Sequence, residues 1–384
     1  MAYFELLIRN GTAITPNGTE QTDIAVIDGR IAAIGSLSQA EAETTIEAKG
    51  LCVLPGIIDT QVHFREPGLE HKEDFESGTR AAVAGGITGV FDMPNTKPAI
   101  TDAETYTEKL RGIRDRAWCD YALYVGATAE NAEALAGLEL MPACCGVKLF
   151  MGSSTGDLLV SDEQNLRDIL FSGRRRMAVH CEDETRLRDR RVIAEESGGD
   201  VAQHPVWRDE QTAFRATSTI ISLARLFGRR LHILHVTTVQ EMDFLAAHKD
   251  LVTVEVTPQH LTLAAPDCYA ELGTRAQMNP PIRDDAHRAR LWRAVRDGVV
   301  DIIGSDHAPH TLAEKAQEYP DSPSGMPGVQ TLVPIMLNHV NSGHLTLERL
   351  VGLLSTNPAR IFSIARKGQI ALGYDGDFTI VDLN

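Results

Sequence analysis

Met177-Ala178-Val179-His180 is a short apolar run that ends in a histidine, and Leu231-His232-Ile233-Leu234-His235 ends the same way. Between them, residues 208–227 read as an amphipathic helix. Continuous short apolar runs suit strands buried on both faces, which belong to parallel sheets. Run, helix and run together make one β-α-β unit. Working outward, further runs lie at 56–59, 87–93, 120–127, 146–150, 252–256 and 299–305. Helical stretches separate them at 73–84, 102–114, 162–170, 239–248 and 284–296. Eight strand units interleaved with helices predict an α/β fold, a (β/α)8 TIM barrel of roughly 250 residues.

The flanks have a different pattern. Residues 4–8, 23–27 and 30–34 read as strands, and Asn10-Gly11, Asn17-Gly18 and Asp28-Gly29 are hairpin signals. After the last helix, 368–370 and 377–381 read as strands around a turn at 372–375. The expected division is 1–55 and 363–384 as the two parts of a small β-sandwich, with the barrel at 56–362.

A barrel carries its chemistry where its strands end. His63 follows the first run, Lys148 lies in the fourth, and His180, His235 and Asp306 stand at the ends of three others. Imidazole and carboxylate are ligands for zinc and similar divalent ions. A lysine inside an apolar strand is costly as an ammonium. It is explained either by a buried ion pair or by reaction with CO2, which yields an anionic carbamate able to bridge two metals. Asp306 can ligate and also exchange a proton with water. Each position alone is a weak signal; the series His, Lys, His, His, Asp along successive strands is a strong one. Arg65, two residues after His63, reads by itself as a partner in a salt bridge to Glu66 or Asp74.

This series resembles the amidohydrolase superfamily, within it the cyclic amidohydrolases, and most closely the dihydroorotases. The discriminating motifs are His63-Phe64-Arg65-Glu66-Pro67-Gly68, Met93-Pro94-Asn95-Thr96, Gln277-Met278-Asn279-Pro280-Pro281-Ile282-Arg283 and Ser305-Asp306-His307-Ala308-Pro309-His310-Thr311. The resemblance implies one or two Zn2+ ions held by His63, Lys148 as its CO2-derived carbamate, His180, His235 and Asp306, with Asp306 also catalytic. It implies that Arg65 and Asn95 hold a substrate carboxylate, and that Asn279, His310 and the backbone near Pro327 and Gly328 contact the ring. It further implies a homodimer acting in the cytoplasm on a small molecule of pyrimidine biosynthesis.

The chain departs from the family pattern twice. Where the family has His-x-His, this sequence has Gln61-Val62-His63. An amide oxygen is a poorer zinc ligand than imidazole, so Gln61 weakens one side of the site. Two alternatives therefore stand beside a dihydroorotase. One is an allantoinase or hydantoinase-type enzyme. The other is an inactive scaffold whose partner is a carbamoyltransferase. Family members also usually continue beyond the equivalent of Asn384, so the C-terminal part of the sandwich is expected to be incomplete.

Composition narrows the classes. With 37 basic and 53 acidic residues the net charge is −16, which argues against nucleic acid or an anionic membrane as the main partner. No run approaches the roughly 18 apolar residues of a membrane span, and residues 1–9 have no leader-like pattern. Six cysteines without a C-x-x-C pair read as reduced thiols. Alternation along the strand should turn Cys181 away from the face that carries His180.

Overall fold

The structure is a computed structural model that describes residues 3–154 and 158–384. It begins with a long strand, Tyr3–Thr15 (β1). The turn expected at Asn10-Gly11 is corrected: the chain passes through as a β-bulge between Ile8 and Gly11. Asn10 adopts φ 58, a left-handed conformation that asparagine tolerates. Gly11 is needed there, since a Cβ would come within 2.6 Å of Val53. The other two signals form hairpins, pairing Thr15 with Gly18 and Ile27 with Arg30. They lead into Gly18–Ile27 (β2) and Arg30–Gly35 (β3).

Glu41–Glu47 (β4) and Cys52–Pro55 (β5) both run parallel to β1. β4 was not expected, because most of its residues are charged or polar and exposed.

The barrel strands follow: Ile57–Val62 (β6), Ile87–Asp92 (β7), Asp120–Gly126 (β8), Cys144–Phe150 (β9), Met177–His180 (β10), Leu231–Ile233 (β11), Val252–Val256 (β12) and Ile302–Ile303 (β13). All neighbours are parallel and in sequence order. Every residue of β6, β9, β10 and β12 is buried, including the polar Asp59, Thr60, Gln61, Lys148, Thr253 and Glu255, as expected of parallel strands covered on both faces. The ends of the sheet meet where Val62 bridges His307 and the Ser305 N–H donates to Asp59 Oδ1 at 3.0 Å. Aspartates set the helix starts: Asp74, Asp102, Asp162, Asp209 and Asp284 each accept backbone N–H groups of the first turn.

Two barrel strands are shorter than expected. β11 stops two residues before His235, and β13 three before Asp306. Both residues sit at positive φ, 36 and 46 respectively, so the chain turns sharply there.

The last strand, Phe378–Val381 (β14), pairs antiparallel with β5. The strand expected at 368–370 does not form. Its single large apolar residue, Ile370, instead inserts from a loop into a core with Ile8, Ile24 and Val53. Both termini thus build one six-stranded mixed sheet, ordered β14-β5-β1-β2-β3 with β4 also on β1.

Candidate active site

At the C-terminal mouth of the barrel a small cavity, about 370 Å³ of empty space, is lined by Gln61, His63, Lys148, His180, His235 and Asp306. The five strand-end positions and Gln61 therefore converge. All six are buried.

The histidines and the carboxylate meet as two pairs. His180 Nδ1 lies 3.1 Å from His235 Nε2, and His63 Nε2 lies 3.2 Å from Asp306 Oδ1. Two donors bound at about 2.0–2.1 Å to a tetrahedral zinc stand roughly 3.3 Å apart, so either pair could hold one ion. Among the described residues, no three His, Cys, Asp or Glu side chains close on a single point. A third ligand would have to come from Lys148, Gln61 or solvent.

Hydrogen bonds behind the histidines fix which nitrogen faces the cavity. His180 Nε2 donates to Glu182 Oε2 at 2.8 Å, so its Nδ1 offers a lone pair toward His235. Glu182 in turn accepts from Arg208 Nε at 3.0 Å. The Arg208 guanidinium and His180 hold this buried carboxyl well below the usual carboxylate range. On the other side, His63 Nδ1 contacts Asn95 Oδ1 at 2.7 Å, leaving Nε2 toward Asp306. Burial keeps both His180 and His235 below their ordinary pKa, hence neutral and able to ligate.

Lys148 is fully enclosed, and its Nζ has no hydrogen-bond partner among the described residues. The buried ion pair expected as one alternative is not formed among the described residues. Its amine instead lies 4.3 Å from the centre of the Phe150 ring. Burial lowers its pKa to about 7, against the pull of Asp306 and Glu255. A neutral amine is the form that reacts with CO2.

Gln61 differs from the ligands around it. Its Nε2 donates to Asp306 Oδ1 at 2.8 Å, and its buried Oε1 has no partner among the described residues. The orphaned oxygen is the atom that could ligate, while the amide nitrogen occupies a lone pair of Asp306.

Arg65 reaches the cavity from the loop after β6. Its Nε donates to Pro309 O at 3.0 Å, which fixes the guanidinium. The alternative partners are engaged elsewhere: Glu66 pairs with Arg116, and Asp74 caps a helix. Among the described residues Arg65 forms no ion pair, although it is 2 % exposed. Burial lowers its pKa to about 10, which leaves it charged.

Asn95 and Asn279 also line the cavity. Asn279 Oδ1 accepts from the buried His204 Nε2 at 3.0 Å. His310, Pro327 and Gly328 lie outside the lining. His310 sits behind Arg65, its Nε2 donating to Ser324 O at 3.1 Å. The Gly328 N–H donates to His307 Nδ1 at 2.9 Å, beneath the site. The wall on that side is Ser324 and Gly325 instead. Gly325 is at φ 147, where a Cβ would come within 2.5 Å of Ala308 O.

Ser324, Gly325, Glu182, Arg208 and His204 received no role from the sequence. Only Glu182 carried a usable signal, standing two residues beyond His180 and so on the same side of an extended chain. Cys181 lies outside the cavity lining, and all six cysteines are free.

Known proteins resemble this chain in sequence and in fold. The model of the amidohydrolase family matches residues 52–384. The dihydroorotase of Halobacterium salinarum is 36% identical over 364 residues, covering 94% of this chain and 83% of that protein. An allantoinase of Escherichia coli is 33% identical over 402 residues, covering 99% and 86%. The structure of L-hydantoinase (dihydropyrimidinase) from Arthrobacter aurescens superposes with a TM-score of 0.92 at 29% identity, covering 98% of this chain and 86% of that one. By its barrel, its sequence and these relatives, the chain belongs to the amidohydrolase family and is a cyclic amidohydrolase.

Proposed function

We propose that this chain is a metal-dependent dihydroorotase, which interconverts L-dihydroorotate and N-carbamoyl-L-aspartate. The observation that carries the reading is Arg65, a buried guanidinium on the cavity wall that forms no ion pair among the described residues. Such a charge is costly unless an anion joins it. Dihydroorotate brings a ring carboxylate, whereas allantoin and hydantoins do not.

The donor set fits zinc. His180 and His235 would hold one ion, and His63, Asp306 and weakly Gln61 a second. Lys148, as its CO2-derived carbamate, would supply an anionic ligand to both. When bound, the metal polarises the ring amide carbonyl and makes water a better nucleophile near neutral pH. Arg65 takes the substrate carboxylate through a bidentate contact and so fixes the ring in the cavity. Asn95 and Asn279 present amides to the same space. Asp306 accepts a proton from the attacking water as the new C–O bond forms. It returns that proton to the ring nitrogen as the C–N bond breaks. The small closed cavity limits competing water.

A second reading is a cyclic amidohydrolase for rings without a carboxylate, supported by the allantoinase and hydantoinase relatives. An inactive scaffold for a carbamoyltransferase draws support from Gln61, whose amide nitrogen occupies Asp306. One assay separates all three: metal content and turnover of dihydroorotate, allantoin and dihydrouracil, with zinc and bicarbonate supplied. Dihydroorotate should be the preferred substrate. Preference for either other ring would replace the proposal with the second reading, and metal-free, inactive protein would support the scaffold.

A further inference from the structure

A wide cleft with about 2210 Å³ of open space lies at the opposite end of the barrel, where β9, β10 and β11 begin. Arg174, Arg175, Arg176 and Arg230 form one wall, and Cys145 and Phe362 contribute apolar surface. None of these four guanidinium groups forms an ion pair among the described residues. Their neighbour Arg229 shows the contrast, being paired with buried Glu139 at 2.9 Å.

Two of the four are held in place by the barrel backbone. Arg175 Nη1 donates to Cys144 O, and Arg176 Nη1 donates to Leu231 O at 2.7 Å. Arg176 Nε is buried with no partner among the described residues. Burial and the nearby Arg230 and Arg360 lower the Arg176 pKa to about 10. The carboxylate that counters this, Asp301, is bound by Lys249. Four guanidinium groups thus gather at one concave place without an ion-pair partner among the described residues. Glu130, Glu133, Glu139 and Asp168 line the same cleft, but among the described residues none of them forms an ion pair with these four arginines, and Glu139 is taken by Arg229.

Guanidinium forks suit phosphate oxygens, and the apolar part suits an organic group attached to them. We infer that this cleft binds a phosphate-bearing small molecule, its phosphates on Arg176 and Arg230 and its organic part toward Cys145 and Phe362. Its place at the strand starts separates it from the cavity of Lys148, His180 and His235. The inference concerns binding and stands whichever ring the enzyme opens.

The test is calorimetric titration of the zinc-loaded protein with sodium tripolyphosphate and, separately, a nucleoside triphosphate. Both should bind, and affinity should fall as salt is raised. Equal affinities would mean that the phosphates alone are read; tighter nucleotide binding would add the apolar surface. The double variant Arg176→Gln/Arg230→Gln should lose at least tenfold in affinity for both. Arg230→Gln alone, at a side chain that forms no hydrogen bond among the described residues, should melt no lower than the parent without anion and gain less from tripolyphosphate. Absence of binding at millimolar anion, or equal binding by parent and double variant, would overturn the inference.

Discussion

Arg65, Lys148 and Gln61 each hold a polar group where an isolated polar group is costly, and each yields a test. Arg65→Met removes the charge while keeping much of the bulk. Losing a charge-assisted contact in a desolvated cavity costs about 2–5 kcal/mol. That predicts a fall of about 30-fold or more in kcat/KM for dihydroorotate, carried mainly by KM. Unchanged kinetics in the folded variant would remove the carboxylate-anchor role. Lys148→Ala should lose bound metal and activity together, and short carboxylic acids should restore part of both. Intact-mass measurement should show one CO2 on the parent and none on the variant. The weakest donor is Gln61. Gln61→His should raise metal occupancy beside His63, because imidazole is the better zinc ligand and the bond from the Gln61 amide to Asp306 disappears. Competition with a graded chelator measures this. Equal, tight occupancy of two ions in the parent would show that the amide suffices.

At the scale of elements, the barrel was legible because its strands are buried on both faces and its helices start at aspartates. These are local signals, and β10 and β12 fall at their expected bounds. What the sequence hid depends on packing between distant segments. β4 is mostly polar and is held by β1, so its composition does not announce a strand. Asn10-Gly11 is a turn by composition, yet it becomes a bulge because the strands beyond it continue to pair. The site divides in the same way. Ligand-type residues at strand ends could be read in order, but the partners behind them come from other elements. Arg208 is 26 residues beyond Glu182, and only the fold joins it to the His180 pair. That link can be tested. Glu182→Gln keeps the shape and removes the charge that orients His180. Losing such a partner typically costs about 10–100-fold in metal affinity. Zinc affinity of parent and variant, measured against a chelator, should differ by this factor while the fold is retained. Equal affinities would make Glu182 merely a partner for Arg208.

The whole molecule keeps several histidines neutral in its interior, and this couples stability to pH. Burial lowers His204 and His310 to about 3 and His260 to about 4. In the unfolded chain each should titrate near the ordinary value of about 6.5. Below that pH the unfolded chain binds protons that the folded chain refuses, so stability falls as pH drops from about 6.5 toward 4. Asp59 opposes the trend. Burial raises it to about 6, so near pH 5 the folded chain holds a proton that the unfolded carboxyl has released. These three histidines against one carboxyl account for about two protons taken up on unfolding at pH 5, and the lowered His180 and His235 add to the uptake in the same direction. About two protons correspond to a loss of about 2–3 kcal/mol per pH unit. Urea unfolding between pH 7 and 4.5 measures the slope. Zinc release in the same range would have the same sign, so the decisive comparison is with His260→Gln. His260 is buried between Thr257 and the Pro280 carbonyl, outside the cavity lining, and its removal should not alter the metal donors. The variant should show a slope smaller by about one proton, while metal loss common to both proteins cancels. Parallel slopes would mean that His260 titrates alike in the folded and unfolded chain, and that the acid sensitivity arises elsewhere.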